Sequence, residues 1–505
     1  MAFQVCITIP ETATPPTEGE YIKHVDYFGE NVNDFRFEYR KLERSLLFEY
    51  LRRTDTNGSF PNNLMSVSFS VPIVQNGSNN FCADILKRNI FCEGRPYRYL
   101  GHSGSQFWEK KCYLMNALED EILDLFARFD NFVKIRNVRK RAKKISLLFV
   151  GFEDILDLAN KDYIVEREVK SGCFGTKPRA FTNSCGFMSP GFTVEVRRQL
   201  GLSYPDHSAI QVNYQGFQGT LVLKDVPTNA PRVQLRKSMK KFNIPNEEVH
   251  QHIPFIGIVD YSKPHINGYL DTRLIILLQS RGVLINYLQT LHIQYIDLLR
   301  KILDDPASAQ YFLRLKGRDA GNIRSEIDGP TREVLATIKR NEIEEMIDRS
   351  YVLDAEDDEP PRRPVARVRI LVPKARVVFG VCDPHNKLEK GQCYFKPTLL
   401  DDEVGELSSE EQIVVARYPC YHPGDIHVFK LTHKKPEYEI LKDCLVLSRK
   451  GHAFESCGGD LGGSKFFVSW DQQLVPERAI QPCGYSPTMK EYTSDALARI
   501  RDNVK

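Results

Sequence analysis

A chain of 505 residues, 42% hydrophobic and 27% charged, is long enough to bury several cores and too ordinary in composition to be wholly disordered or fibrous. Its net charge of +3 does not by itself call for a nucleic-acid partner, so any polyanion surface has to come from local clusters of Lys and Arg. The 12 cysteines form no C-x-x-C pair, no basic-then-apolar leader opens the first 16 residues, and no apolar run approaches 18 residues; reduced thiols, a cytoplasmic or nuclear location and no membrane partner are expected.

The first 95 residues mix short β-rich runs, such as residues 65–74, with turn signals at Asn57, Gly58, Asn76 and Gly77, a pattern of hairpins and loops. From Lys110 to about Lys144 the spacing predicts helix, with Leu114, Leu118, Ile122, Leu125 and Phe129 on one face. Within that stretch Lys134, Arg136, Arg139, Lys140, Arg141, Lys143 and Lys144 follow with no acid between them. Such a density suits a phosphate backbone, a nuclear signal or a solvated helix face.

Residues 160–260 read as strands, with alternation from Ala209 to Tyr214, a turn at Gly216 and Gly219, then residues 220–223 and 233–235. From Leu270 to about Tyr351 the helical period returns in the stripe Leu284, Leu288, Leu291, Tyr295, Leu298, Leu299 and Ile302. Residues 354–364, D-A-E-D-D-E-P-P-R-R-P, join an acidic run to three prolines and read as a linker. Beyond it residues 365–379 and 414–467 are β-rich, with turn signals at Asp383–Pro384, Pro423–Gly424 and Gly458–Gly459.

Ordered segments in this chain carry a further signal. Residues 99–106 read Y-L-G-H-S-G-S-Q, 181–190 F-T-N-S-C-G-F-M-S-P, 211–219 Q-V-N-Y-Q-G-F-Q-G and 236–242 R-K-S-M-K-K-F. After the linker come V-P-K-A-R at 372–376, G-V-C-D-P at 380–384, L-E-K-G-Q at 388–392 and R-Y-P-C-Y-H-P-G-D-I at 417–426. Last is G-D-L-G-G-S at 459–464, ahead of F-F-V-S-W-D at 466–471. In this order they resemble the eukaryotic RNA-dependent RNA polymerases of the RNA-silencing type. That family reads L-x-x-S-x-S-Q, F-T-D-G-x-G-x-I-S-P, Q-x-R-Y-x-G-x-K-G, R-x-S-M-x-K-F, R-x-P-x-x-H-P-G-D-I and G-x-D-x-D-G-D. Asn183 and Ser184 depart from its pattern, and so do two of the three aspartates. The resemblance spans roughly residues 95–487; the family continues into a further helical region, whereas this chain ends at Lys505.

The resemblance implies an α+β protein with two double-psi β-barrel domains and a helical insert, like the catalytic core of cellular RNA-dependent RNA polymerases. The expected divisions are a mixed region at 1–95, a helical linker with the basic run at 96–160, a first barrel at 161–263 and the helical insert at 264–353. The acidic linker at 354–364, a second, catalytic-type barrel at 365–487 and the start of a C-terminal region at 488–505 complete them. It also implies that Arg236, Lys240, Lys241, Lys374, Arg376, Arg417 and His422 contact RNA template or triphosphate. Read alone, each of these cations is a solvated charge, and the turn holding His422 and Asp425 is scaffolding.

Nucleotidyl transfer is commonly served by two metal ions about 4 Å apart, and hard cations want carboxylate oxygens. In an extended segment residues i, i+2 and i+4 share a side, so the family's loop aims three carboxylates at one spot. Here those positions hold Asp460, Gly462 and Ser464. Asp460 is the one metal ligand retained, and a hydroxyl brings no charge, so binding of Mg²⁺ or Mn²⁺ is expected to be weakened or lost. Residues 458–465 also look superficially like a phosphate-binding P-loop, but the Lys/Ser order is reversed and a strand, not a helix, is expected to follow.

The resemblance thus implies template-directed RNA synthesis from nucleoside triphosphates on single-stranded RNA, in company with RNA-silencing proteins. The altered loop favours a non-catalytic RNA-binding relative in a silencing complex. The early chain end favours an incomplete copy with apolar surface left uncovered.

Overall fold

The computed structural model describes residues 5–7, 15–16, 20–28, 33–70, 82, 85–168, 184–202, 207–227, 230–318, 323, 326–348, 365–366, 368–399, 407, 411–432, 435–450 and 461–481. The linker expected at 354–364 and the retained aspartate, Asp460, lie outside them.

The N-terminal part holds β1 (Val5–Ile7), β2 (Tyr21–Tyr27), β3 (Phe35–Lys41), β4 (Arg44–Ser45), β5 (Leu64–Phe69), β6 (Ile90–Cys92), β7 (Arg95–Gly101) and β8 (Lys111–Met115). Apart from β4 these form a seven-stranded sheet in the order β1-β6-β7-β8-β5-β2-β3. The helical stripe expected from Lys110 onward is corrected at its start: Lys111–Met115 is a strand paired with both β5 and β7, and the helix begins at Glu119. Leu114 is buried as a strand residue, so its spacing from Leu118 is not a helical repeat.

The middle part holds β9 (Gly151–Phe152), β10 (Asp154–Asp157), β11 (Tyr163–Glu166), β12 (Cys185–Met188), β13 (Ala209–Tyr214), β14 (Phe217–Leu223), β15 (Val233–Arg236) and β16 (Phe255–Tyr261). β4 pairs with β9; the rest form a second seven-stranded sheet, β10-β16-β13-β14-β12-β15-β11. The β13–β14 hairpin turns on Gln215 and Gly216, both at positive φ (43° and 85°), the left-handed pair that a two-residue hairpin needs. A side chain on Gly216 would stand 2.5 Å from the Phe242 carbonyl. The run of strands expected over 160–260 is interrupted by helices Pro190–Gln199 and Glu247–His252.

The C-terminal part holds β17 (Asn267–Asp271), β18 (Ile347–Asp348), β19 (Val365–Ala366), β20 (Arg369–Cys382), β21 (Gln392–Phe395), β22 (Gln412–Arg417), β23 (Ile426–Leu431), β24 (Cys444–Leu447) and β25 (Lys465–Ser469). The 14-residue β20 pairs with β17, β24 and β25. Because β25 also pairs with β22, the order β20-β24-β21-β23-β22-β25 closes on itself as a barrel. The second sheet ends on β10 and β11, with no ladder between them among the described residues.

Between β17 and β18 stand helices Thr272–Ser280, Ile285–Lys301, Pro306–Leu315 and Gly329–Glu345. Most of the stripe read from sequence is the buried side of Ile285–Lys301, through Leu288, Leu291, Tyr295 and Leu299, but its first member, Leu284, precedes the helix and is 72% exposed. Asp305 and Asp328 cap the next two helices, each followed by a proline in the first turn. The middle sheet and the barrel share one apolar core: Phe187, Ile210 and Leu221 pack in the same cluster as Val381, Leu445, Leu461 and Val468. Among the described residues no helix is long and apolar enough to cross a membrane.

Candidate functional site

The loop entering β25 is where the sequence places the metal-binding acids, and the shared core holds it against the middle sheet. Thr220 of β14 donates through Oγ1 to the Leu461 carbonyl (2.8 Å) and accepts from the Gly463 amide (2.8 Å). Its cross-strand partner Gln211 lies against Gly463, whose φ is +84°; a side chain there would meet the Gln211 amide at 2.4 Å. One cross-strand pair of the middle sheet therefore fixes a loop of the barrel.

The loop is not the extended segment expected from the sequence. The Gly463 amide also reaches the Leu461 carbonyl (2.9 Å), closing a three-residue turn about Gly462. The chain becomes a strand only at Lys465, so the helix that a P-loop requires does not follow.

Ser464 is buried, and its hydroxyl accepts from Nε of Arg417 at 3.1 Å. Its carbonyl accepts from the Gly380 amide, and the Lys465 carbonyl from the Tyr418 amide. Lys465 reaches back across the core boundary to Asp260 of β16 at 2.6 Å, while Lys263 lies 3.1 Å from the same carboxylate. Burial opposes ionisation of Asp260, but these two ammonium groups outweigh it and hold the carboxyl below its usual range. The junction between sheet and barrel is thus made by charge as well as by apolar packing.

The other cations named from the sequence fall in separate places. Arg236 is buried; its guanidinium pairs with Glu166 (2.7 Å), donates to the Arg167 carbonyl (2.9 Å) and lies 4.9 Å from the Phe187 ring. Lys240 donates to the Gln215 carbonyl over the Phe217 ring, and burial draws it below the usual amine range against the pull of Asp130. Lys241 donates to the Ser184 hydroxyl (2.7 Å) and the Ser238 carbonyl (3.1 Å).

Arg376 is buried against Trp470, opposite Val468 in the ladder, with Nη1 on the Pro373 and Ala375 carbonyls. Lys374 is exposed beside it. Nδ1 of His422 accepts from the Gly424 amide (3.1 Å), capping the turn Pro423–Asp425. Arg417, by contrast, is brought to the loop.

Two cations that the sequence did not single out join Arg236. Lys224 and Arg449 stand 4.8 and 5.3 Å from the same Phe187 ring. Burial, and then the neighbouring Arg449 charge, draws Lys224 below the usual amine range. Each ends a strand, Lys224 after β14 and Arg449 two residues after β24, and only the packing of the two sheets unites them. Gln211 and Thr220 were also passed over, although Gln211 opens one of the quoted segments.

As donors for a divalent cation, the described part of the loop does not fit. Gly462 offers no side chain, and the Ser464 hydroxyl already faces a guanidinium. Asp471, seven residues further on, sits beyond the far end of β25. It is occupied as the cap of Gln472–Leu474 and by the Tyr287 hydroxyl. Among the described residues no group of three His, Cys, Asp or Glu is placed to hold a metal ion.

Comparison with known proteins places this arrangement. The family model described as RNA dependent RNA polymerase matches residues 54–503. Probable RNA-dependent RNA polymerase 1 of Oryza sativa subsp. japonica is 27% identical over 411 residues, covering 81% of this chain and 52% of that protein. RNA-dependent RNA polymerase 1 of Arabidopsis thaliana is 27% identical over 413 residues, covering 80% and 35%. The structure of RNA dependent RNA polymerase QDE-1 from Thielavia terrestris superposes with a TM-score of 0.65 at 16% identity, over 96% of this chain and 57% of that one. The chain spans about a third to a half of the length of the curated relatives it matches.

Proposed function

The chain belongs to the RNA-dependent RNA polymerase family, of the eukaryotic RNA-silencing type, and we propose that it engages single-stranded RNA and nucleoside triphosphates but carries out template-directed RNA synthesis poorly. The observation that supports this reading is the contact of Arg417 with Ser464: a position where the family holds a carboxylate presents a neutral oxygen already bonded to a cation. Placing a second positive charge, a Mg²⁺ or Mn²⁺ ion, against that guanidinium is unfavourable without the two missing aspartates.

In this reading the closed barrel and the middle sheet are the two double-psi barrels of the family, with residues 354–364 the boundary between insert and second barrel. The protein acts in the cytoplasm or nucleus beside RNA-silencing proteins. The test is nucleotide incorporation on single-stranded RNA with Mg²⁺ or Mn²⁺, run beside an intact relative. Measurable activity at least a hundredfold below the relative, with RNA binding retained, supports the proposal; equal activity overturns it. Complete inactivity with RNA binding intact favours the second reading, a non-catalytic RNA-binding member of a silencing complex.

A further inference from the structure

Three cations at the ends of three strands converge on one buried ring. Phe187, on β12, is 2% exposed, and the Lys224 ammonium and the Arg236 and Arg449 guanidiniums stand 4.8, 4.9 and 5.3 Å from its centroid. Backbone bonds hold all three in place. The Lys224 amide donates to the Met188 carbonyl (3.0 Å), Arg236 is in register with Glu166 in the β11–β15 ladder, and the Ser448 hydroxyl ties down the turn at Arg449 by accepting from the Lys450 amide (2.9 Å).

The charge of this cluster is not balanced among the described residues. The carboxylate that bears on Lys224 is Glu166, and it is already paired with Arg236 at 2.7 Å. The Cys382 thiol is turned to the Cys185 carbonyl (3.9 Å), and Asp383 beyond it accepts from the His385 and Leu388 amides and the Tyr438 hydroxyl. Nε of Arg236 and both Nε and Nη2 of Arg449 are buried and have no hydrogen-bond partner. A buried donor without an acceptor is costly, and three of them beside an unpaired ammonium point to oxygens supplied from outside the chain.

The cluster is open on one side. Arg236 is 3% exposed and forms its floor, whereas Lys224 and Arg449 are half-buried and form a rim that solvent reaches. It is also apart from the loop before β25, because Thr220 anchors that loop from within β14 and Lys224 lies past the end of the same strand.

We propose that Lys224, Arg236 and Arg449 bind a phosphate monoester dianion, carried by free phosphate or by the 5′-phosphate end of an RNA strand. Net charge decides the class of ligand. Three cations less Glu166 leave two positive charges, which match a monoester of about −1.5 to −2 at pH 7 and exceed the single charge of a backbone diester. The guanidinium forks offer several donors to one oxyanion, and the ammonium adds a point charge. The site does not require the chain to synthesise RNA; the family reading enters only in the choice of an RNA end as one source.

The test is titration of the full chain with 5′-phosphorylated and 5′-hydroxyl oligouridine, read by anisotropy, together with melting curves in inorganic phosphate at constant ionic strength. The wild type should bind the phosphorylated strand at least about tenfold more tightly. Phosphate should raise the melting temperature and erase that preference. In Lys224→Gln and in Arg449→Gln both effects should disappear, with affinity for the hydroxyl strand unchanged. Arg449→Lys keeps the charge and should retain part of the preference, which keeps the test open if Arg449→Gln does not fold.

If the wild type shows neither the preference nor the stabilisation, or if both survive in both variants, the site is overturned. A preference for UTP over UMP that disappears in Lys224→Gln assigns the cluster to a triphosphate and overturns the monoester reading. Stabilisation by phosphate that is lost in Lys224→Gln, with neither strand bound, leaves the site standing with free phosphate as its ligand, while the RNA source and the RNA-binding reading of the chain fall.

Discussion

Thr220 and Gly463, 243 residues apart, share a hydrogen bond of 2.8 Å in which the hydroxyl accepts the loop amide while donating to Leu461. Thr220 is fully buried, so Thr220→Val leaves a loop carbonyl and an amide without this partner. A cost of about 1–3 kcal/mol is expected, moderated by the bond the Gly463 amide keeps to Leu461. Thr220→Ser should recover most of it. Urea denaturation of the three proteins checks this, and a Val variant as stable as the wild type would show that the loop is not anchored here.

Glu342 ties the helical insert to the barrel. Its carboxylate accepts from the hydroxyls of Tyr269 and Tyr295 and pairs with Lys316 and Arg369, with 8% of the side chain exposed. Glu342→Gln keeps the shape but leaves two partly buried cations, Lys316 and Arg369, facing each other, which should cost up to about 3 kcal/mol. Burial alone would raise the Glu342 pKa, but Lys316, Tyr295 and Arg369 together hold it below the ordinary value of 4.5. Its contribution is therefore complete above about pH 4.5 and disappears as the pH falls through the lower folded value. Thermal melts between pH 7 and pH 3 should show an acid-side loss that is smaller in Glu342→Gln.

A second pH dependence arises in the N-terminal sheet. His24 is 1% exposed; Nδ1 lies 2.8 Å from the Ser66 hydroxyl and Nε2 3.2 Å from the Ser68 hydroxyl, which itself donates to Asp26 at 2.6 Å. With the Ser68 proton committed to Asp26, Nε2 donates and Nδ1 accepts, the neutral imidazole. Burial, reinforced by Arg40, pulls the pKa from 6.5 to about 4. The histidine's contribution is full above pH 6.5 and is lost progressively as the pH falls toward 4, about 3 kcal/mol in all. His24→Asn should flatten denaturation midpoints between pH 6.5 and 4.5; an unchanged profile would assign that slope to other groups.

The regularities of single elements were legible in the sequence. Ala209–Tyr214 alternates because each side of its sheet packs differently, and the stripe of Ile285–Lys301 repeats because one side of that helix is buried. Lys111–Met115 was misread because Leu114 and Leu118 are four apart, although they belong to different elements and Leu118 is 60% exposed. The site was less legible for a related reason. Motif order located the loop, but Arg417 and Ser464 meet across neighbouring strands, and Lys224, Arg236 and Arg449 meet only because two sheets share a core. Arg236 and Arg376 looked like solvated charges; carbonyl acceptors and aromatic faces let the fold bury them.

Restoring the lost acids tests the assignment of the loop itself. Ser464→Asp alone puts a carboxylate where Arg417 Nε already donates, so an ion pair with Arg417 should hold it. Gly462→Asp adds a carboxylate to the turn between Leu461 and Gly463 while leaving the left-handed Gly463 and its Thr220 partner unsubstituted. Together they supply the charge a divalent cation requires, and the pair should exceed the sum of the singles because residues that form one site are not additive. Since losing a supporting group of a metal site typically costs about 10- to 100-fold, the double variant should raise Mg²⁺-dependent incorporation at least tenfold. The assay compares wild type, both singles, the double and Asp460→Ala at one Mg²⁺ concentration. If the wild type already matches the double variant and Asp460→Ala changes nothing, this loop is not the metal site. If all five are inactive while RNA binding persists, the block to catalysis lies beyond positions 462 and 464, and the non-catalytic reading gains.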